Sequence, residues 1–308
     1  MDNNGREIVD GDDRQRIVVP LQGGLGNQLF QLSAGLNLLC NFNCQPLFTD
    51  FFLRHRTWLD FGRSNSSSRK LMIRELLNDE EFTKNLGHLE AMAIAFRTLT
   101  GSKKVFREPD NRSSVFEYLT NETYVILGWF QKYQFVSNIQ DLLIARMRSA
   151  PQFRDVVSTR VEPSIAVHVR LGDYYHDQET RNHHGLTGIS YYHNSIQHLL
   201  SSIDAQRIVI VSDEPELALK LLREEPFGTD IPMTCTRGDE HQDLATLANC
   251  AGIVISNSTF SWWAGFLGSV LHGSLVVAPT PWLSVKSPAD DDLIPPTWTT
   301  MQRLLHKN

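Results

Sequence analysis

The chain contains no apolar run of about 18 residues, so no membrane-crossing helix is expected. Its opening stretch, Met1 to Gln15, is acidic and polar and lacks the apolar core of a signal peptide. Together these absences predict a cytoplasmic protein; membrane or Golgi association would need an anchor outside this sequence. Cysteine is scarce. The four residues Cys40, Cys44, Cys235 and Cys250 fit no standard zinc spacing and read as scattered thiols in a reducing compartment. Basic residues are not in excess: 29 Lys and Arg face 35 Asp and Glu, a formal net charge of −6. That argues against a nucleic-acid binder, while a local basic pocket and peripheral membrane association stay compatible with it.

Several cofactor signatures are missing too. The stretch Gln22-Gly-Gly-Leu-Gly-Asn-Gln28 lacks the Lys-Ser/Thr of a Walker loop and is not Gly-x-Gly-x-x-Gly. No Asp-x-Asp follows a strand, and no ligand cluster has metal spacing, so neither a metal nor a cofactor is expected. His176, His183 and His184 share a polar loop without a carboxylate or cysteine to complete a site. Asp290-Asp-Asp292 reads as a solvated turn. The Asn-x-Ser/Thr matches at Asn65, Asn111, Asn121 and Asn257 carry little weight without a route to secretion.

What is present is an ordinary globular composition: 308 residues, 41% hydrophobic and 21% charged, enough for two domains. Residues 1–15 read as a disordered tail. Arg16-Ile-Val-Val-Pro-Leu is a short strand, the glycine turn follows, and Leu29 to Leu39 continues at helical spacing. Strand, glycine turn and helix open an α/β unit. Such a turn gathers free N–H groups and suits an anion or a sugar, or it is simply a tight connection. Gln45 to Asp50 and Tyr124 to Phe130 read as further strands, and Gln131 to Arg148 as a helix. Ill-patterned residues around 154–163 set the expected boundary: a first domain over 16–155 and a second over 156–308.

The second half alternates more regularly. Strands are expected at Ser164 to Val169, Arg207 to Asp213, Gly252 to Ser256 and Leu275 to Pro279, with helices between them. Repeated β-α with β-branched strands predicts an α/β fold with a doubly wound parallel sheet. Ligands of such sheets sit at the carboxyl ends of the strands. Those ends carry His168 and Arg170, Ser212 and Asp213, and Asn257 to Phe260. Period-two alternation puts His168 and Arg170 on one face. An arginine fork at a strand end suits a diphosphate, although a structural ion pair with Asp173 explains it equally. Asp213 suits a ribose, a base or a helix cap. Asn257-Ser-Thr is a good helix start whose atoms can also hold a phosphate. Trp262 and Trp263 read as packing residues rather than a sugar platform.

Gly23-Gly-Leu-Gly-Asn-Gln-Leu-Phe-Gln31, His168-Val-Arg-Leu-Gly-Asp-Tyr174, Val211-Ser-Asp213 and Ser256-Asn-Ser-Thr-Phe-Ser-Trp-Trp263, in this order, resemble the α-1,2-fucosyltransferase family. Gly128-Trp-Phe-Gln131 and Ala278-Pro-Thr-Pro-Trp282 look similar as well. The resemblance runs from about residue 17 to 300. It implies two Rossmann-like domains facing a cleft, the GT-B arrangement, with GDP-fucose held mainly by the second. It implies inverting transfer of fucose to the 2-hydroxyl of a terminal galactose on a glycan acceptor, with no obligatory metal. By the same resemblance Arg170 would bind the β-phosphate, and His168 the ribose or phosphate. Asp243 would contact guanine or ribose. Asn257, Ser258 and Thr259 would hold phosphate, and Phe260 would pack on the base. Asn27 would stand near the reacting centre, and Asp173 is the candidate general base. Family members often carry Arg-Arg where this chain has Arg170-Leu171, so a role for a second arginine is absent. Vertebrate members are anchored in membranes; this chain looks more like the soluble bacterial-type enzymes. The rival readings are a carbohydrate-binding protein that uses its tryptophans without catalysis, and another nucleotide-sugar enzyme such as an epimerase. Acceptor identity and oligomeric state are not legible.

Overall fold

A computed structural model describes residues 15–42, 44–54, 70–83, 105–108, 124–158, 161–172, 187–224, 230–283 and 292–303. The expected tail lies outside these residues except Gln15. The chain gathers into two compact units, one comprising Met1–Phe130 and Gln134–Gln140, the other Gln131–Tyr133 and Asp141–Asn308.

The first unit is built on four strands: β1 (Gln15–Pro20), β2 (Cys44–Thr49), β3 (Val105–Arg107) and β4 (Val125–Leu127). They form one parallel sheet in the order β2-β1-β4-β3. Helix α1 (Leu25–Asn41) follows the glycine turn, and a four-residue helix, α2 (Phe51–Arg54), follows β2. Most of α1 is buried, so its polar side chains must find partners inside. Ser33 Oγ donates to Leu29 O at 2.9 Å and Asn37 Nδ2 to Ser33 O at 2.9 Å. Gln28 donates from Nε2 to Gly23 O and Lys70 O and accepts Met72 N–H, which ties a distant segment to the start of the helix.

The helix expected over Gln131 to Arg148 is two pieces, α3 (Tyr133–Ser137) and α4 (Gln140–Ser149). The boundary expected at 155/156 falls inside the second unit. Phe153 packs edge-on against His241 with centroids 4.8 Å apart, and Asn249 Nδ2 donates to Asp155 O at 2.8 Å.

The second unit alternates β5 (Glu162–Val169), α5 (Ile189–Leu200), β6 (Arg207–Ser212), α6 (Pro215–Glu224), β7 (Met233–Cys235), α7 (Glu240–Ala248), β8 (Cys250–Val254), α8 (Thr259–His272), β9 (Leu275–Thr280) and β10 (Thr299–Gln302). All six strands are parallel, in the order β10-β9-β8-β5-β6-β7. From β5 the chain steps outward to β6 and β7. It then returns to β8 and steps the other way to β9. Right-handed crossovers in opposite directions put helices on opposite faces. Accordingly α5 and α6 pack together on Ile165, Val167, Val169, Ile208 and Ile210, while α7 and α8 pack together elsewhere on the sheet. The α/β fold with parallel sheets is therefore as the β-α repeat predicts. Three strands escaped sequence reading: β3, β7 and β10. Each lies at a sheet edge and is only three or four residues long, so none shows a long apolar run.

Candidate active site

In the six-stranded sheet the direction of winding reverses between neighbours β5 and β8. The carboxyl ends of two such strands open a crevice, the usual ligand position in this architecture. Here β5 ends at Val169 and β8 at Val254, so the crevice is lined by His168, Arg170 and the run Ser256 to Phe260.

His168 is buried, with 4% of its surface exposed. Its Nδ1 lies 2.8 Å from Ser256 Oγ, which joins the two strand ends directly. The Phe260 ring tilts against the imidazole at a centroid distance of 5.4 Å. Burial, and secondarily the Arg170 cation, lower the His168 pKa to about 3. The imidazole is therefore neutral at physiological pH, with one donating and one accepting nitrogen. Ser261 Oγ supports Ser256 by donating to its carbonyl at 3.2 Å. Tyr191 OH bonds Ile255 O at 2.7 Å and Val277 O at 3.1 Å, which holds the ends of β8 and β9. Burial raises the Tyr191 phenol well above its ordinary pKa, so it stays a donor.

Arg170 pairs through Nη1 with Asp213 Oδ2 at 2.9 Å, both side chains a little over one-quarter exposed. Its carboxylate partner comes from the end of β6. Asp213 also accepts the Leu171 N–H at 3.0 Å and lies so close to the Gly172 Cα that a Cβ there would collide with it. A side chain at 172 would therefore displace the carboxylate that holds Arg170. Asp173, the candidate base, lies outside the described residues, as do His176, His183 and His184.

Helix α8 starts beside His168. Ser258 is its N-cap residue, yet no side chain caps the helix. Its first N–H groups and the half-buried Ser258 and Thr259 therefore form a positive helix end able to accept an anion. Asn257 is buried and accepts a hydrogen bond from Thr187 Oγ1 at 3.3 Å. Asp243 stands two strands away, beside the end of β7. It accepts from Thr236 Oγ1 and Gly238 N, both at 3.2 Å. Its pKa is raised by burial against the opposing effect of those two bonds.

Asn27 belongs to the first unit, on the opening turn of α1. It packs over Gly23, whose φ of 74° is a left-handed conformation that a side chain would strain. The second unit's crevice thus brings together His168, Arg170, Asp213, Asn257, Ser258, Thr259 and Phe260. Ser256 and Thr187 were assigned no part by sequence reasoning. Partners 88 and 70 residues apart leave no local signal.

Trp262 and Trp263 are fully buried, and Trp262 Nε1 donates to Leu293 O at 2.9 Å. A carbohydrate-binding reading that relied on these two rings is overturned, because no sugar can reach them. Among the described residues no group of three His, Cys, Asp or Glu is placed to hold a metal ion. Asp292 pairs with Lys132 at 3.4 Å. Among the same residues no helix is long and apolar enough to cross a membrane.

Residues 97–302 match the model of Glycosyl transferase family 11. The chain is 25% identical over 294 residues to an alpha-1,2-colitosyltransferase of Escherichia coli, covering 93% of this chain and 99% of that protein. It is 21% identical over 294 residues to the Escherichia coli O-antigen biosynthesis glycosyltransferase WbnK, covering 86% and 94%. Among solved structures, an Arabidopsis thaliana FUT1 mutant in complex with GDP aligns at 11% identity, covering 85% of this chain and 70% of that one, with a TM-score of 0.44. POFUT1 in complex with GDP-fucose aligns at 13% identity, covering 84% and 94%, with a TM-score of 0.39. The family model spans more than half of the chain, and the protein is a glycosyltransferase that belongs to glycosyl transferase family 11.

Proposed function

We propose that the protein transfers L-fucose, with inversion, from GDP-fucose to the 2-hydroxyl of a terminal galactose on a glycan acceptor. The observation that carries this reading is the winding-reversal crevice of the second sheet. It combines a held arginine, a neutral buried histidine and an uncapped helix start at one place. These groups suit a diphosphate: the arginine supplies a fork and the helix start supplies N–H donors. The α-1,2 linkage named for the Escherichia coli relative supports the 2-hydroxyl as acceptor.

In a single displacement the acceptor oxygen bonds the anomeric carbon as the bond to the β-phosphate oxygen breaks. Negative charge grows on GDP while the sugar becomes oxocarbenium-like, so positive charge fixed beforehand lowers the barrier. Arg170 stabilises the leaving phosphate, and Asp213 acts on the donor through Arg170 by holding its guanidinium. His168 bonds ribose or phosphate as a neutral group. Ser258 and Thr259 hold phosphate, Asn257 braces the turn before them, and Phe260 packs on the base. Asp243 reaches guanine or ribose. Asp173 takes the acceptor proton. Asn27 is the group that the first unit contributes to the transfer. The reaction proceeds without a metal.

The donor sugar has a specific competitor. The Escherichia coli relative is named for colitosyl transfer, so a GDP-colitose donor is the second reading. An acceptor array incubated with GDP-fucose or GDP-colitose, with products analysed by NMR, tests both. Fucosyl transfer to a galactoside with an α-1,2 linkage is expected. Transfer from GDP-colitose alone would replace the donor assignment, and no transfer from either would remove the reading.

A further inference from the structure

The motif Gly128-Trp-Phe-Gln131 has no part in the crevice described above. Its residues Gly128 to Phe130 lie in the first unit, where the sheet order β2-β1-β4-β3 makes β1 and β4 neighbours that are not consecutive in sequence. Both strands are parallel, so their carboxyl ends share one edge of the sheet. Val18 pairs with Val125, so the glycine turn after β1 and the residues after β4 leave the sheet side by side at its carboxyl edge.

Three contacts hold the segment after β4 in a defined shape. Gln31 bridges the two strand ends: its Oε1 accepts Gln22 N–H at 2.8 Å and its Nε2 donates to Gly128 O at 3.3 Å. Glu108, just past β3, accepts the N–H groups of Trp129 at 2.9 Å and Phe130 at 2.7 Å on one oxygen. Phe130 has a φ of 52°, a left-handed conformation for a bulky residue, and buries its own ring to 1% exposure. A backbone held in a sparsely populated region by side chains from α1 and from the end of β3 points to function rather than to folding.

The result of this bracing is the position of one ring. Trp129 is 47% exposed, whereas Trp262, Trp263, Trp282 and Trp298 are buried. An exposed indole is a flat apolar surface with a polar edge. The Glu108 carboxylate stands beside it, accepting the Trp129 N–H, and the half-buried Asn27 amide follows the neighbouring strand β1 off the same sheet edge. A planar ring next to a carboxylate and an amide is the chemistry that recognises a pyranose. The ring takes the sugar's C–H face, and the polar groups take its hydroxyls.

We infer that Trp129 is the stacking platform for a pyranose of the acceptor glycan, with Glu108 and Gln31 as the positioning residues that aim it. The inference rests on the proposed transfer to a glycan only for the word acceptor; the platform itself is a sugar site of the first unit.

The test is direct binding followed by transfer. Saturation-transfer NMR with a panel of methyl pyranosides, including methyl β-D-galactoside and methyl β-D-glucoside, is recorded on the intact protein, on Trp129→Ala and on Trp129→Phe. At least one pyranoside should bind the wild-type protein. Trp129→Ala should weaken that binding on the order of tenfold, and Trp129→Phe should recover part of it. In the transfer assay Trp129→Ala should raise the acceptor KM by a similar factor while GDP affinity stays unchanged. Equal binding by a folded Trp129→Ala, or no binding of any pyranoside by the wild type, overturns the platform. Pyranoside binding through Trp129 without GDP binding would keep the platform and remove the GDP-sugar reading. Transfer with an unchanged acceptor KM in Trp129→Ala would do the reverse.

Discussion

The two units use the same architectural position in different ways. Each opens its parallel sheet between two strands that are neighbours in space but not consecutive in sequence, and each places its conspicuous side chains there. In the second unit the position is filled by charge and by bonds between side chains: Arg170 with Asp213, and His168 with Ser256, beside a helix start without a side-chain cap. In the first unit, amide side chains bond backbone groups, as Gln31 and Gln28 do, and Glu108 accepts two backbone N–H groups. Side chains that pair with each other fix an electrostatic field. Side chains that pair with backbone fix a shape. The contrast supports the proposed division of labour, with the nucleotide held by the second unit and a neutral sugar oriented by the first.

The largest test of this contrast is Arg170→Ala. One charge-assisted contact made in the transition state is worth roughly 3–4 kcal/mol, so turnover should fall on the order of a hundred- to a thousand-fold. GDP affinity should fall as well, in a protein that stays folded because the side chain is partly exposed. Arg170→Lys should recover little, since an ammonium cannot form the planar fork. Near-normal turnover in a folded Arg170→Ala would show that the charged position is structural.

Asn27→Ala probes the other side. It should lower turnover by roughly tenfold, the worth of one hydrogen bond, while leaving GDP affinity nearly intact. Measuring affinity, turnover and melting temperature on one preparation separates this from a scaffold role. If only the melting temperature falls, the glycine turn is structural and the first unit contributes elsewhere.

A smaller effect follows from the buried imidazole. Its folded pKa, about 3, lies below the ordinary value of 6.5. The unfolded chain therefore binds a proton that the folded chain refuses. This contribution to stability is fully present above pH 6.5 and is lost as pH falls from there towards 3, by up to about 1.4 kcal/mol per pH unit. Denaturant unfolding of His168→Gln between pH 4 and 8 should show a flatter acid limb than the wild type. Parallel acid limbs would mean that His168 is not the responsible group. The smallest effect expected is that of EDTA: activity should survive it unchanged. Activity lost to the chelator and restored by Mg²⁺ or Mn²⁺ would place a metal in the mechanism.

Much of this was legible in the chain. The apolar run ending in His168-Val-Arg170, the helix opened by Asn257-Ser-Thr259 and the turn at Gly23 all report local burial or local backbone demands, which adjacent residues encode. The partners were not. Arg170 pairs with Asp213 from the end of the neighbouring strand, a contact that no nearby residue announces; Asp173, the local candidate, lies outside the described residues. Trp262 and Trp263 could have faced solvent at a helix start, but α8 packs them inside. The short edge strands β3, β7 and β10 lack the apolar pattern that marks the central ones.

By itself, then, the sequence determined the β-α alternation, the position of the chemical groups at strand ends and membership in a glycosyltransferase family. Only the tertiary structure decided that β8 lies against β5, that His168 therefore meets Ser256, and that the end of β4 lies beside that of β1 with Trp129 exposed. The physical reason is that hydrophobic periodicity records which side of an element is buried. Strand order depends on how crossovers of one hand pack over a whole sheet, and no local stretch of sequence carries that information.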